Sequence, residues 1–238
     1  NKKRRVMTMK NRILIISDTH FPFAINGYLK FVKKVYKKYN CNLVIHTGDL
    51  IDQHAISFHE TEPDSMGFES ENKLARKEIK RLAKTFPRMK ICLGNHDMRL
   101  YRVAAKKAGI PVRCMKSLEE LYDLPRGWEL GEEFYIDGIK FVHGEGYSGM
   151  TGHINNAKDS RQSTVMGHLH SFAGVSYLAN NNELIFGMNA GCLIDANVYA
   201  MRYGKKFKFK PTVACGVIID GTPHLEHMDL GNKVIRED

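Results

Sequence analysis

The sequence predicts an α/β fold in which two β-sheets pack together with helices outside them. In the first half, short apolar, β-branched runs alternate with segments whose apolar residues recur every three or four positions. This alternation is typical of β-α-β units and a parallel sheet. From about residue 134 onward, short strand-like runs dominate. The chain has 238 residues, which is long enough for one large domain.

The elements of the first half follow from their residue patterns. Residues 12–17, 41–47 and 90–93 are short apolar runs, and each predicts a buried strand. Residues 26–39 and 71–86 place their apolar side chains along one face of a helix, so each predicts an amphipathic helix. The order is therefore β-α-β-α-β.

The second half predicts mainly strands. Residues 133–144 contain an Asp-Gly pair between two apolar runs, and this pair favours a two-residue hairpin turn. Further strand-like runs follow up to about residue 230. We expect one domain over residues 12–238, with residues 98–133 as a small cap. Residues 1–11 form a basic arm that is either disordered or an engineered addition.

Composition narrows the setting and the partners. No apolar run approaches the roughly 20 residues that span a bilayer, so no membrane association is expected. The five cysteines are widely spaced and form no CxxC pair, which favours a reducing, cytoplasmic setting. The net charge of +10 favours a polyanionic partner such as nucleic acid. Lysine-rich helix faces that only confer solubility are the alternative.

Polar side chains stand at the ends of five successive predicted strands. Ligands of open α/β sheets bind outside the carboxyl ends of the strands, so these side chains are expected at a functional edge. Carboxylates, amide oxygens and imidazoles suit divalent ions such as Mn, Fe and Zn. The five motifs are DTH (18–20), GDLID (48–52), GNHD (94–97), VHG (142–144) and GHLH (167–170).

These motifs supply more candidate ligands than one tetrahedral ion can use. The number fits two ions that share a carboxylate and keep open positions for water and substrate. Buried core histidines and helix caps are the structural alternative, which the recurrence of such residues at every strand end argues against. The seven candidates are Asp18, His20, Asp49, Asn95, His143, His168 and His170.

Together the five motifs resemble those of the calcineurin-like metallophosphoesterase superfamily. The resemblance implies a four-layer α-β-β-α sandwich of two mixed sheets with flanking helices. It also implies two divalent ions, with Mn favoured and Fe, Zn or Ni as alternatives. The implied ligands of the first ion are Asp18, His20, Asp49 and His170. Asp49 would bridge to a second ion, whose other implied ligands are Asn95, His143 and His168.

The resemblance further implies catalytic roles. A hydroxide bridging the ions would attack phosphorus and hydrolyse a phosphoester bond. His96 would be the catalytic imidazole that is not a ligand, and Asp52 would orient it. His96 would donate a proton to the leaving oxygen or hydrogen-bond the phosphoryl oxygen.

Departures from subfamily patterns bear on the substrate. Protein serine/threonine phosphatases of this superfamily read GDxVDRG and GNHE, whereas this chain reads GDLIDQH and GNHD. Gln53 thus replaces an arginine that would clamp a phosphomonoester dianion. The GNHD, VHG and GHLH motifs are more similar to those of the phosphodiesterase and DNA-repair nuclease branch, which includes compact phage and bacterial members. We therefore expect a metal-dependent phosphodiesterase or nuclease that acts on nucleic acid, in the host cytoplasm if the chain is phage-encoded.

Substrate contacts are expected from residues that follow two of the motifs. The candidates are His54, Arg99 and Arg102. Tyr101 and Trp128 could stack on bases or belong to the core. A phosphomonoesterase acting on nucleotides, 3′-phosphate ends or phosphoproteins is the main alternative, and a non-enzymatic scaffold is a weaker one. The sequence does not predict the oligomeric state.

Overall fold

A six-stranded mixed sheet forms one half of the core. The computed structural model describes residues 11–57, 66–197 and 210–230, so nearly all of the predicted basic arm lies outside the described residues. The strands of this sheet are β1 (Arg12–Ile16), β2 (Leu43–His46), β3 (Met89–Cys92), β4 (Trp128–Gly131), β10 (Ala214–Ile219) and β11 (Thr222–His227). Their order is β11-β10-β1-β2-β3-β4. Strands β1 to β4 run parallel to one another. Strand β10 is antiparallel to both of its neighbours, β1 and β11.

A second mixed sheet has five strands. These are β5 (Glu133–Ile136), β6 (Ile139–Val142), β7 (Thr164–Met166), β8 (Gly174–Ala179) and β9 (Leu184–Asn189). Their order is β5-β6-β7-β9-β8. The predicted hairpin is confirmed: β5 and β6 pair antiparallel, and Asp137 and Gly138 both have positive φ, as the favoured two-residue turn requires.

Helices cover both outer faces. They are α1 (Tyr28–Lys38), α2 (Phe68–Thr85), α3 (Arg99–Ala108), α4 (Leu118–Tyr122) and α5 (Gly152–Ser160). The apolar faces of α1, α2 and α4 share one core cluster with the first sheet, and α5 packs on β7, β8 and β9 of the second. The predicted α/β fold with two mixed sheets and flanking helices is confirmed.

Strand β1 shows how the layers are specified. Leu14 and Ile16 belong to the cluster beneath the helices, whereas Ile13 and Ile15 belong to the cluster between the sheets. Successive side chains of a strand point to opposite faces, so a continuous apolar run fills both layers. This is why residues 12–16 read as uniformly apolar rather than alternating.

The predicted cap over residues 98–133 does not form one unit. Trp128–Gly131 pairs in parallel with Met89–Cys92, so this part of the segment is a strand of the first sheet and not a cap. The segment before it contains α3 and α4, which pack beside the first sheet. Among the described residues, no helix has the length and apolarity needed to cross a bilayer.

The two candidate stacking residues belong to the core. Trp128 is 7% exposed, and its Nε1 donates to the Phe86 carbonyl oxygen at 2.9 Å. Tyr101 is 5% exposed, and its hydroxyl donates to the Lys116 carbonyl oxygen at 3.0 Å. Neither ring face is free to stack on a base, so the core alternative holds for both.

Replacing Trp128 with Phe should lower the free energy of unfolding by about 1–3 kcal/mol, because the buried Phe86 carbonyl loses its donor and the smaller ring leaves a gap. Urea denaturation followed by circular dichroism measures this change. The exposed Tyr135→Phe control should change stability by less than about 0.5 kcal/mol. Unchanged stability with weakened ligand binding would instead assign Trp128 to a binding surface.

Candidate metal centre

The carboxyl ends of β1, β2, β3, β6 and β7 meet at one edge of the two sheets. Backbone hydrogen bonds join their loops, from Asp18 to Gly48 at 3.1 Å and from Gly167 to His143 at 3.2 Å. The His168 amide donates to the Asp18 carboxylate at 3.0 Å and so links the first sheet to the second. The five motifs that the sequence places at strand ends therefore lie together.

A first group of acceptor atoms surrounds His20. The His20 Nδ1 lies 2.6 Å from Asp52 Oδ1, so Nδ1 carries the proton and Nε2 presents a lone pair. This Nε2 lies 3.1 Å from His170 Nε2 and 3.6 Å from Asp49 Oδ2. Asp18 Oδ1 lies 3.0 Å from His170 Nε2.

A second group surrounds His143 in the same way. Its Nδ1 donates to the Thr47 carbonyl oxygen at 3.0 Å, which leaves Nε2 as an acceptor. This Nε2 lies 2.9 Å from Asn95 Oδ1 and 3.1 Å from His168 Nδ1. It also lies 3.3 Å from Asp49 Oδ2, the oxygen that faces the first group.

The chemistry of these donors fits two divalent cations. Lone pairs that face one another at about 3 Å repel unless positive charge lies between them. Burial lowers the pKa of His20, but the Asp18 and Asp52 carboxylates outweigh it and raise that pKa to about 10. Burial likewise lowers the pKa of His143, but the Asp49 carboxylate outweighs this effect and raises that pKa to about 9. Near neutral pH each of these imidazoles therefore holds a second proton, which supplies positive charge when no cation is bound. A divalent cation would replace these protons, and nitrogen and oxygen donors suit Mn, Fe or Zn.

Asp52 contacts two imidazoles. Besides His20, its Oδ1 lies 3.0 Å from His96 Nδ1. Burial opposes ionisation of Asp52, but its bonds to His20 and His96 hold the pKa of its carboxyl well below the usual range. The sequence predicts the link to His96 and misses the link to His20. A carboxylate on the far nitrogen of a metal-binding histidine fixes the tautomer and the ring orientation.

His96 lies beside the first group and is held on both ring nitrogens. Its ring meets that of His20 edge to face, with centroids 4.4 Å apart. Arg99 Nη2 lies 2.9 Å from His96 Nε2, and Arg99 Nη1 donates to the Asp52 carbonyl oxygen at 2.9 Å. Arg99 therefore lies against the imidazole that the sequence singles out.

Asp97 is a positioning residue whose partners the sequence does not reveal. Its Oδ2 accepts from the amides of Asp49 and Gly94, both at 2.9 Å, and its Oδ1 accepts from Ile51 at 3.2 Å. Burial and the charge of Asp49 raise the pKa of this carboxyl to about 7. Asp97 thus ties the loop after β2 to the loop after β3.

His46, like Asp97, is a positioning residue, although its place within an apolar strand does not indicate this role. It is fully buried, as expected for a core residue. Its Nδ1 accepts from the Gly48 amide at 3.2 Å, and its Nε2 lies 3.1 Å from Thr19 Oγ1. Burial lowers its pKa to about 3, so a neutral His46 connects two ligand-bearing loops.

The backbone at the site is constrained. Four of the seven candidate ligands have positive φ, namely Asp18, His20, Asp49 and His168. Such conformations cost roughly 1 kcal/mol or more each and persist only where the surroundings impose them. Gly94 shows how closely the loops approach, because a Cβ there would lie 2.1 Å from Asp49 Oδ1.

The three predicted substrate contacts lie in different surroundings. Arg99 contacts His96, as described above. Arg102 is 43% exposed at its side chain and pairs with Glu145. His54 is only 7% exposed, with its ring edge against Phe23 at a centroid distance of 6.4 Å, so it offers little surface to a substrate.

A buried carboxyl supports the turn that contains His54. Glu71 is 2% exposed and accepts from the amides of His54 and Ala55 at 2.8 and 2.9 Å. Burial outweighs these two donors and raises the pKa of Glu71 to about 7. The turn after the GDLID motif is therefore anchored to α2.

Comparison with protein families identifies the family to which the chain belongs. The family model described as calcineurin-like phosphoesterase matches residues 11–204. The chain belongs to this family. All seven candidate ligands of this phosphoesterase lie within the matched range. A comparison with curated proteins gave no match.

Comparison with solved structures finds similar chains at low sequence identity. Vacuolar protein sorting 29 from Cryptosporidium parvum is 14% identical with a TM-score of 0.44, covering 92% of this chain and 97% of its own. A metallophosphoesterase from Sphaerobacter thermophilus is 13% identical with a TM-score of 0.47, covering 92% and 88%. Nuclease MPE from Pseudomonas putida is 13% identical with a TM-score of 0.39, covering 90% and 87%. These likenesses do not resolve a branch of the family.

Replacing Gly94 with Ala should weaken Mn²⁺ binding by about 10–100-fold, because the added Cβ would lie 2.1 Å from the Asp49 carboxylate and 2.4 Å from the Asp49 main-chain nitrogen and would displace both. Isothermal titration calorimetry measures the affinity and the number of ions. The matched control is Gly67→Ala, since nothing lies within 4 Å of a Cβ at that position. Equal Mn²⁺ binding by wild type and Gly94→Ala would refute the inferred geometry.

Glu71→Gln should change how stability depends on pH. The folded-state pKa of Glu71, about 7, lies above its unfolded value, so the folded state holds the proton more tightly between about pH 4.5 and 7. Its contribution to stability is present below this window and is lost as pH rises through it, by up to about 3 kcal/mol. Urea denaturation of metal-free wild type and variant at pH 4.5 to 8 tests this. Parallel curves would contradict it.

Proposed function

We propose that this phosphoesterase hydrolyses phosphodiester bonds and that nucleic acid is its substrate class. The observation that carries the proposal is the pair of acceptor groups sharing Asp49 Oδ2, with His96 and Arg99 beside them. This arrangement supports a dinuclear centre with an imidazole and a guanidinium at its edge. A phosphoester is the substrate type that such a centre suits.

Each ion has a set of side chains to hold it. Asp18, His20, Asp49 and His170 would hold the first ion, and Asp49, Asn95, His143 and His168 would hold the second. Bound there, the ions would supply an activated water and neutralise charge on the phosphoryl group. Asp52 and Thr47 hold the ligand tautomers through the far nitrogens of His20 and His143.

His96 serves the leaving oxygen. The main-chain carbonyl oxygen of Asp52 accepts from its Nδ1 at 2.9 Å, and the Asp52 carboxylate lies 3.0 Å from the same nitrogen, so Nε2 is the nitrogen that faces the reacting group. Arg99 donates to that nitrogen and turns to a phosphate oxygen when substrate enters. Once Arg99 has turned away, His96 Nε2 takes up a proton from solvent. The resulting imidazolium hydrogen-bonds the phosphoryl oxygen or gives that proton to the departing oxygen.

Two features favour a diester over a monoester. Gln53, at the position of the phosphatase arginine, is buried, and its side chain bonds the Leu100 amide and the Tyr122 hydroxyl. Arg102, the next guanidinium along α3, is occupied by Glu145. The site therefore offers less cationic charge than a dianionic phosphomonoester requires, while a diester carries only one charge.

Charge supports nucleic acid as the substrate class. The chain carries a net charge of +10, and Arg99 and Lys106 lie on one face of α3. Tyr101 and Trp128 do not add base stacking to this charge, since both are buried. The basic segment at residues 205–210 lies almost wholly outside the described residues.

A panel of substrates with Mn²⁺ tests the proposed class. It contains bis-p-nitrophenyl phosphate, p-nitrophenyl phosphate, single-stranded, duplex and nicked DNA, RNA and a phosphopeptide, each with and without chelator. We expect chelator-sensitive cleavage of the diesters. Faster turnover of monoesters would favour the phosphomonoesterase alternative, and no turnover of any substrate would favour a scaffold.

Replacing His96 with Ala should lower kcat for bis-p-nitrophenyl phosphate by about 10²–10⁴-fold, the usual contribution of a general acid. The variant should still bind two Mn²⁺ ions, because His96 is absent from both ligand sets. Steady-state kinetics and metal analysis of the same preparation measure the two properties. Loss of both ions would show that His96 holds metal.

A further inference from the structure

Arg102 and Glu145 form a two-pronged ion pair at the surface of the protein. The two terminal nitrogens of Arg102 donate to the two carboxylate oxygens of Glu145, each at 2.6 Å. Both side chains are about half exposed, at 43% and 50%. The pair joins residues 43 positions apart in the sequence. It connects α3 with the loop after β6.

The pair borders the second group of ligands. Glu145 comes two residues after His143, and α3 begins three residues after His96. Arg102 lowers the pKa of Glu145, and the charges of His143 and His168 add to this effect. The Arg102 guanidinium is therefore held against the loop that begins at His143, one of the candidate ligands of the second ion.

We propose that Glu145 sets substrate preference by masking Arg102, so that the site discriminates against dianionic phosphate groups. This inference rests on the proposed phosphoesterase function and assigns a specificity role within it. Glu145 acts through Arg102 and does not take part in the chemistry, so it is a specificity-determining residue rather than a catalytic one.

The physical reason lies in the shape of the guanidinium. Arginine binds two oxygens of a phosphate through parallel N–H donors, and Glu145 already occupies such a pair of donors. A terminal phosphomonoester carries two charges on three oxygens and gains most from this contact. A diester has one charge on two free oxygens, both of which can face the ions, so it loses less when Arg102 is masked.

The pair has little value as a structural brace. Half-exposed ion pairs contribute little to stability, and α3 is already anchored by the buried Tyr101. Glu145→Gln should therefore fold normally and leave Arg102 free to bind anions. This predicts a gain of binding, which a damaged fold would not produce.

Isothermal titration calorimetry of the Mn²⁺-loaded protein tests the proposal. Inorganic phosphate at pH 8 serves as the dianion, and dimethyl phosphate serves as the monoanion. We expect Glu145→Gln to bind phosphate about tenfold more tightly than wild type, with dimethyl phosphate changed by less than about threefold. The gain should shrink in about 0.5 M salt, because exposed charges are screened.

Two further variants separate masking from simple repulsion. In Arg102→Gln/Glu145→Gln, the gain over wild type should disappear, since no guanidinium remains to be freed. Glu129→Gln is the matched control, because Glu129 is an exposed glutamate paired with Lys90 between β3 and β4. It should bind both anions as wild type does.

The results that would overturn the proposal are distinct. They are equal phosphate affinity of wild type and Glu145→Gln, an equal gain for both anions, a gain that persists in the double variant, or no phosphate binding by any protein. Hydrolysis of bis-p-nitrophenyl phosphate by wild type is measured in parallel. Tighter phosphate binding by Glu145→Gln without any turnover would reject the proposed activity while supporting the masking of Arg102.

Discussion

The Asp49 carboxylate is the point on which the site depends. Its Oδ2 faces His20 Nε2 at 3.6 Å and His143 Nε2 at 3.3 Å. When each imidazole is neutral, both of these nitrogens present a lone pair, because their partner nitrogens donate elsewhere. A protein interior does not hold several acceptors face to face without positive charge between them. The same oxygen belongs to both groups, so two cations would share it. The surrounding loops are placed so that both groups meet at Asp49 Oδ2.

The cost of that arrangement is distributed over the fold. Left-handed backbone at four ligands and a glycine pressed against the Asp49 carboxylate are unfavourable taken alone. They are held by the sheets below and by buried polar residues between the loops, chiefly Asp97 and His46. A strained site of this kind needs a rigid support, and the parallel strands provide it because their carboxyl ends converge without adjustment. The fold thus provides the rigid support on which the geometry of the site depends.

The sequence predicts much of this, within limits that have physical reasons. The strands and the edge that carries the seven candidate ligands follow from apolar periodicity and from polar residues at strand ends, both of which are local signals. Contacts between distant segments leave no such signal. Three such contacts join residues 32 to 48 positions apart. They are the bond from Asp97 to the Asp49 loop, the Arg102–Glu145 pair and the contact of Asp52 with His20. The burial of Tyr101 and the pairing of Trp128–Gly131 with β3 likewise depend on tertiary packing, so the sequence gives no means of separating core aromatics from exposed ones.

The most direct test of the shared carboxylate is an anomalous-difference map from crystals of the protein grown with Mn²⁺, collected at the manganese absorption edge. The account predicts two peaks, one beside His20 and His170 and the other beside His143 and His168, with Asp49 Oδ2 contacting both. A single peak, or two peaks of which only one contacts Asp49, would contradict it.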